Sequence, residues 1–341
     1  SQYVVGPGAR NGLVFLRKRL ESICKRTLRR QVQQAGLIRY TERLPFTVQF
    51  EPSPEEFRLY TAVSAYLQRT DTIAFGNKPN QLVTMVVRKI LGSSTFAVTE
   101  TLTKIIDRLK QMLPVDIETV ADYDVIDEDA EELGDSDGGD ADAQSPIDRK
   151  KLEAEISELE GYRALARDIG QNAKGLELVK ALPKVLDEIE AKGGQRKAVI
   201  FTESVRTQKY LAELLAANGY ANDVALLNGQ NSDPASRAIY QDWLARHKGS
   251  DAVSGSKTAD MKAAIVGAFK DGKSILIATE SGAEGINLQF CSLLINFDLP
   301  WNPQRVEQRI GRCHRYGQKI DVTVVNFLNL KNHAERRVHY R

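Results

Sequence analysis

The chain has 341 residues, 42% of them apolar and 27% charged, with a net charge of only +2; at about 150 residues per domain this is roughly two domains. That composition excludes collagen-like, disulfide-scaffold and wholly disordered classes. The absence of an apolar run of about 18 residues or more excludes a spanning helix.

The first twelve residues, SQYVVGPGARNG, lack a basic-then-apolar signal pattern. Three widely spaced cysteines, Cys24, Cys291 and Cys313, form no CxxC pair. Both features point to a soluble protein of a reduced intracellular compartment, cytoplasmic and nucleoid-associated or nuclear, and away from structural zinc.

Residues 12–24 read as a short helix, and residues 44–51, LPFTVQFE, alternate as a strand does. Ser53 with Glu56 three residues on is a capping box that opens a helix running to about residue 68. Further helical patterns cover 79–91, 95–113, 147–170 and 172–192, the last with Pro183 in its interior, which predicts a kink or a break. From residue 196 the texture changes to short apolar runs separated by amphipathic segments. Strands are expected at 197–203, 223–229, 274–280, 292–298 and 322–328, with helices at 205–218, 233–246 and 259–270. Strands alternating with helices imply a parallel sheet with helices on both faces, an α/β domain preceded by a mostly helical region.

Charge is segregated along the chain. Residues 1–50 hold ten basic residues against two acidic, and residues 304–341 hold nine against three, so both ends suit a polyanion. Residues 116–142 hold thirteen acidic residues and no Lys or Arg, too polar to bury a core, and 127–146 read as a flexible loop.

Ligands of open α/β sheets bind outside the carboxyl ends of the strands. Three expected strands end in polar clusters: Thr202-Glu203-Ser204, Asn228-Gly229, and Thr279-Glu280-Ser281-Gly282. Further on, Gln308, Arg312 and Arg315 fall on one stripe if the segment is helical. Arg305 and Arg309 add charge, and Gly311 suggests a close approach by something else. Two guanidiniums and an amide aimed one way would make a phosphate site, the alternative being a basic, solvated helix face. Cys313 and His314 lack the partners a metal would need, so no metal site is expected, and His314 reads as a hydrogen-bonding residue.

These segments together resemble motifs V and VI of superfamily 2 helicases, in particular the Swi/Snf-type translocase branch. Ala283-Glu284-Gly285-Ile286-Asn287-Leu288 matches motif V with Ala in the usual Gly place. Gln308, Gly311, Arg312 and Arg315 match motif VI, with the His314-Arg315-Tyr316-Gly317-Gln318 ending of that branch. Trp301-Asn302-Pro303-Gln304 matches the segment between them, KAVIFTE looks like motif IV, and Leu227-Asn228-Gly229 with Arg237 looks like the motif after it. More weakly, FLRKRLESICKRTLRR looks like the end of the first ATPase lobe.

The resemblance implies a RecA-like lobe at 172–341, a helical connector or insertion at 51–171, and the end of the first lobe at 1–50. No GxxxxGK[ST] loop occurs in these 341 residues, and Asp127-Glu128-Asp129-Ala130 lies in the acidic run rather than after a strand. ATP and Mg²⁺ would then be held mainly by another lobe. Arg312 and Arg315 would act as arginine fingers, with Gln308 near the γ-phosphate or the attacking water. Glu284, Gly285, Asn287 and Gly311 would line and couple the nucleotide cleft. Thr202, Asn228, Gly229, Ser281, Gly282 and Trp301 would meet nucleic acid, most naturally double-stranded DNA; the helical insertion offers a protein-partner site, and no membrane is involved. The alternative is a nucleic-acid or partner-binding module without ATPase activity. Deleting 127–146 is expected to leave one cooperative thermal melt; a non-cooperative melt would contradict the loop assignment.

Overall fold

The computed structural model describes residues 41–75, 81–113, 148–300 and 302–331, with the side chains of 81–86 excepted. The expected helix at 12–24, the acidic loop and Trp301 lie outside the described residues. The order is β1 (Arg43–Phe50), α1 (Pro54–Tyr66), α2 (Gln81–Ser93), α3 (Thr95–Gln111), α4 (Arg149–Asp168), α5 (Ala173–Ala191), β2 (Ala198–Phe201), α6 (Val205–Leu215), β3 (Val224–Leu227), α7 (Pro234–Arg246), α8 (Lys257–Asp271), β4 (Ile275–Ala278), α9 (Glu280–Ala283), β5 (Leu293–Asn296), α10 (Pro303–Cys313) and β6 (Val322–Asn329).

The six strands form one wholly parallel sheet in the order β1-β6-β5-β2-β4-β3, a RecA-like α/β architecture. β2, β4 and β5 are buried along their whole length, which is why they read as unbroken apolar runs. Alternate residues serve opposite faces. Ala198 and Ile200 pack toward Leu178, Leu182, Leu186 and Leu211, while Val199 and Phe201 pack toward Met261, Ile265, Phe269 and Ile310. β4 lies on one side of β2 and β5 on the other, so the chain reverses direction across the sheet at β2 and opens a crevice at its carboxyl end.

β1 corrects the boundary drawn at residue 50. It pairs with β6 residue for residue, from Arg43↔Val322 to Phe50↔Asn329. Phe50 and Val48 join the core beneath α5, so burial holds this strand in the sheet rather than in a preceding lobe. Pro45, which lacks an N–H, is tolerated because the strand is at the sheet's edge. The helices α1–α4 have a core of their own, around Leu59, Val63, Ile106, Leu109 and Leu159.

The capping box forms as expected: Ser53 Oγ accepts from Glu56 N at 3.1 Å, and Glu56 Oε2 accepts from Ser53 N at 2.7 Å. The other oxygen of Glu56 accepts from Asn172 Nδ2 at 2.7 Å and Ala173 N at 3.0 Å, which fastens the start of α1 to the start of α5. Pro183 does not break α5, which runs continuously from Ala173 to Ala191. Leu178, Leu182, Leu186 and Ile189 make one fully buried stripe. At about 2 kcal/mol each, their burial outweighs the roughly 3 kcal/mol of an internal proline. Leu182→Ala is expected to destabilise the chain by about 2–5 kcal/mol in urea denaturation; a change below about 1 kcal/mol would contradict this packing.

Candidate functional site

The carboxyl ends of β2, β3, β4 and β5 gather on one edge, and the side chain at their centre is Asp298. It is 6% exposed, yet four groups donate to it: Lys174 Nζ to Oδ1 at 2.7 Å, and Ser93 Oγ at 2.7 Å, Thr202 Oγ1 at 2.7 Å and Glu203 N at 3.2 Å to Oδ2. Lys174, itself 3% exposed, also donates to Gly92 O at 3.2 Å and sits 4.4 Å from the centre of the Phe297 ring. Burial pushes the Asp298 carboxyl up, but the Lys174 charge and the hydrogen bonds from Lys174, Thr202 and Ser93 outweigh it and hold the group below the usual carboxylate range. Beside it, Glu203 pairs with Lys89 at 2.5 Å; there burial prevails over Lys89 and Arg309 and raises the carboxyl.

Arg309 connects this cluster to α10. Its guanidinium is 1% exposed, donates to Glu280 Oε2 at 2.8 Å, Asp298 O at 2.7 Å and Asn296 Oδ1 at 3.2 Å, and lies 5.0 Å from the centre of the Phe201 ring. The arginine that appeared only as added charge is therefore the structural one.

Several expected contacts are corrected. The Thr202 hydroxyl is buried on Asp298 and cannot face nucleic acid. Asn228 is turned into its own loop: its Oδ1 accepts from Gln230 N and Asn231 N, and its Nδ2 donates to Gln208 Oε1. Gly282 is a packing position, since a Cβ there would stand 2.4 Å from Leu227 O and 2.7 Å from the Asn228 backbone. That close approach locks the ends of β3 and β4 together and leaves Gly229 and Ser281 adjacent at the surface. Nothing lies within 4 Å of a Cβ at Gly311, so its expected close approach is absent among the described residues. The stripe through Arg315 is shortened as well. α10 stops at Cys313, and Arg315 stands beyond it in a turn completed by Gly317 at φ +95°.

The residues expected on the nucleotide side lie around α9 and the end of α10. Gly285 takes a left-handed φ of +80° after α9 and, with Glu284 and Asn287, is exposed. Leu288 N donates to Arg312 O at 3.0 Å, and Gln318 Nε2 donates to Cys291 O and Cys313 O, which ties the loop to the end of α10. Lys262, which the sequence did not single out, donates to Ser281 O at 3.0 Å and Glu284 O at 3.4 Å. Burial lowers its ammonium pKa, with Glu284 opposing and Arg312 adding to the fall, which puts all three charges in one neighbourhood. Gln308 and Arg315 are exposed and Arg312 half-buried; the two guanidiniums take no ion-pair partner among the described residues. Two cations left open at a surface suit a polyphosphate, so the residues present fit the nucleotide that the family resemblance implies.

Residues 237–317 match the family described as the helicase conserved C-terminal domain. The uncharacterized ATP-dependent helicase YqhH of Bacillus subtilis is 32% identical over 300 residues, 88% of this chain and 39% of that protein. The RNA polymerase-associated protein RapA of Serratia proteamaculans is 47% identical over 66 residues, 19% of this chain and 7% of that protein. The chain thus spans well under half the length of these relatives. Among solved structures, the C-terminal part of the Fun30 ATPase domain aligns over 89% of both chains at a TM-score of 0.43 and 16% identity.

Lys174→Met is expected to destabilise the chain at pH 7 by about 3–5 kcal/mol, because it strands a buried carboxylate. The depressed Asp298 contributes stability above the unfolded carboxylate pKa of about 3.9 and loses it as pH falls through its lower folded value. Without Lys174 the carboxyl can relieve its burial by taking up a proton, so the deficit measured by denaturation should shrink between pH 7 and pH 4. A deficit constant across that range would contradict the pairing.

Proposed function

We propose that this chain is the second motor lobe of a longer, ATP-dependent, Swi/Snf-type translocase acting on double-stranded DNA, a reading supported by its match to the helicase conserved C-terminal domain at residues 237–317. The observation that carries this reading is the division among the arginines of one short segment. Arg309 is engaged inside the fold, whereas Arg312, one turn after Gln308, and Arg315, beyond the end of the helix, take no ion-pair partner among the described residues. ATP with Mg²⁺, held mainly by the other lobe of the parent protein, supplies the phosphoryl bond whose hydrolysis drives such a motor. On this chain Arg312 and Arg315 stabilise negative charge as it develops, and Gln308 orients the attacking water. Glu284, Gly285 and Asn287 line the same surface, and the bond from Leu288 N to Arg312 O couples their loop to the arginines.

On the nucleic-acid side, the amide of Gly229 and the hydroxyl of Ser281 hold the phosphate backbone without reading sequence, with Trp301 as a stacking or wedging residue. Motion of the two lobes with each ATP advances the protein along the duplex. The similarity to the ATP-dependent helicase YqhH, 32% identical over 300 residues, supports the motor reading without selecting a partner.

In the full-length parent, Arg315→Ala should lower hydrolysis by about 10³-fold or more, as expected of an arginine finger, while duplex binding stays within a few-fold of wild type. Equal loss of hydrolysis and binding would assign Arg315 to binding and favour the alternative, a module that binds nucleic acid or a partner without hydrolysing ATP.

A further inference from the structure

Helix α10 is held from outside the core as well as from within. Arg43, the first residue of β1, donates from Nε to His314 Nδ1 at 3.0 Å and from Nη1 to Glu307 Oε1 at 3.0 Å and Oε2 at 2.7 Å. Glu307 and His314 are seven residues apart, two turns of helix, and so lie on one stripe. His314 is the C-cap residue of α10 and is buried. Because guanidinium can only donate, Nδ1 of His314 is an acceptor and the ring is neutral with its proton on Nε2. One planar side chain therefore bridges two turns of the helix that carries Gln308 and Arg312 and ends two residues before Arg315. The backbone around Arg43 is fixed in turn, since Glu42 N donates to Asp321 Oδ1 at 2.8 Å and Glu42 O accepts from Val322 N at 2.9 Å.

We infer that Arg43 is a positioning residue for the arginine-bearing end of α10, fixing it against the start of β1. Its side chain is 34% exposed and that of Glu307 62%, and ion pairs so open to water add little to global stability. What the clamp does supply is geometry. The inner face of α10 is fixed by Arg309 and its end by Leu288 and Gln318; Arg43 fixes the remaining outer stripe. The functional consequence rests on the proposed motor role of α10, whereas the clamp itself does not.

Two measurements separate these. In the 341-residue chain, hydrogen exchange at the amides of His314 and Arg315 should become about tenfold faster in Arg43→Ala, since local opening is released, while the thermal midpoint stays within about 2 °C. Combining Arg43→Glu with Glu307→Arg should restore protection, because the new carboxylate can accept from the other tautomer of His314. Unchanged exchange, a fall in midpoint large enough to account for the exchange, or no recovery in the double variant would each overturn the clamp.

In the full-length parent, Arg43→Ala and Arg43→Glu should lower kcat about tenfold, as misplacement of a catalytic group does, with KM for ATP changing less than about threefold, and the double variant should recover most of the rate. Unchanged kcat in both single variants would overturn the positioning role. A wild-type parent that hydrolyses no ATP would defeat the motor reading instead, and the exchange result would still decide the clamp.

Discussion

Lys174 and Asp298 form an ion pair from which water is excluded, and the arrangement of the whole carboxyl edge follows from satisfying it. A carboxylate buried this deeply is tolerated only with a cation and further donors around it. The donors come from three parts of the fold: Lys174 from the start of α5, Ser93 from the end of α2, and Thr202 and Glu203 N from the end of β2. The helices α1–α4 therefore join the sheet through a polar junction with few alternative geometries. Thr207 reinforces it: the Ser93 hydroxyl donates to Asp298, so Thr207 Oγ1 must donate to Ser93 at 2.7 Å.

The same residue reaches the segments that resemble helicase motifs through its main chain. The carbonyl of Asp298 accepts from Arg309, and Arg309 pairs with Glu280 at the entrance of α9. A short run of contacts thus leads from the helical layer through the end of β5 to both the loop at 279–288 and the helix bearing Gln308 and Arg312. Three basic residues of one segment have different duties because of where the helix turns them. Arg309 shares its inward side with Val306 and Cys313, three residues before and four after it, while Arg312 falls at its rim and Arg315 beyond its end.

Much of this was legible in the sequence. The unbroken apolar runs at β2, β4 and β5 announce strands covered on both faces, the Ser53–Glu56 capping box marks a helix start, and the spacing of Gln308, Gly311, Arg312 and Arg315 carries the family resemblance. What was not legible is the fate of individual polar side chains after strands. Thr202 and Ser281 look alike in sequence, yet one is sealed against Asp298 and the other is exposed, because only the tertiary neighbour differs. Lys174 did leave a trace: it sits on the stripe of Leu178, Leu182 and Leu186, where a lysine requires a buried partner. That partner lies 124 residues away, beyond the reach of any local pattern. Helical periodicity likewise carried the motif VI stripe past Cys313, where the turn through Gly317 ends it.

The proposed motor role requires that this chain serve a DNA-stimulated ATPase. The direct measurement is ATP hydrolysis with and without duplex DNA, on the full-length parent and on this 341-residue chain. Hydrolysis in the parent that rises with duplex DNA and is absent from the chain alone is the predicted result. A parent that hydrolyses no ATP, while the chain still binds DNA, would contradict the motor reading and leave a binding module in its place.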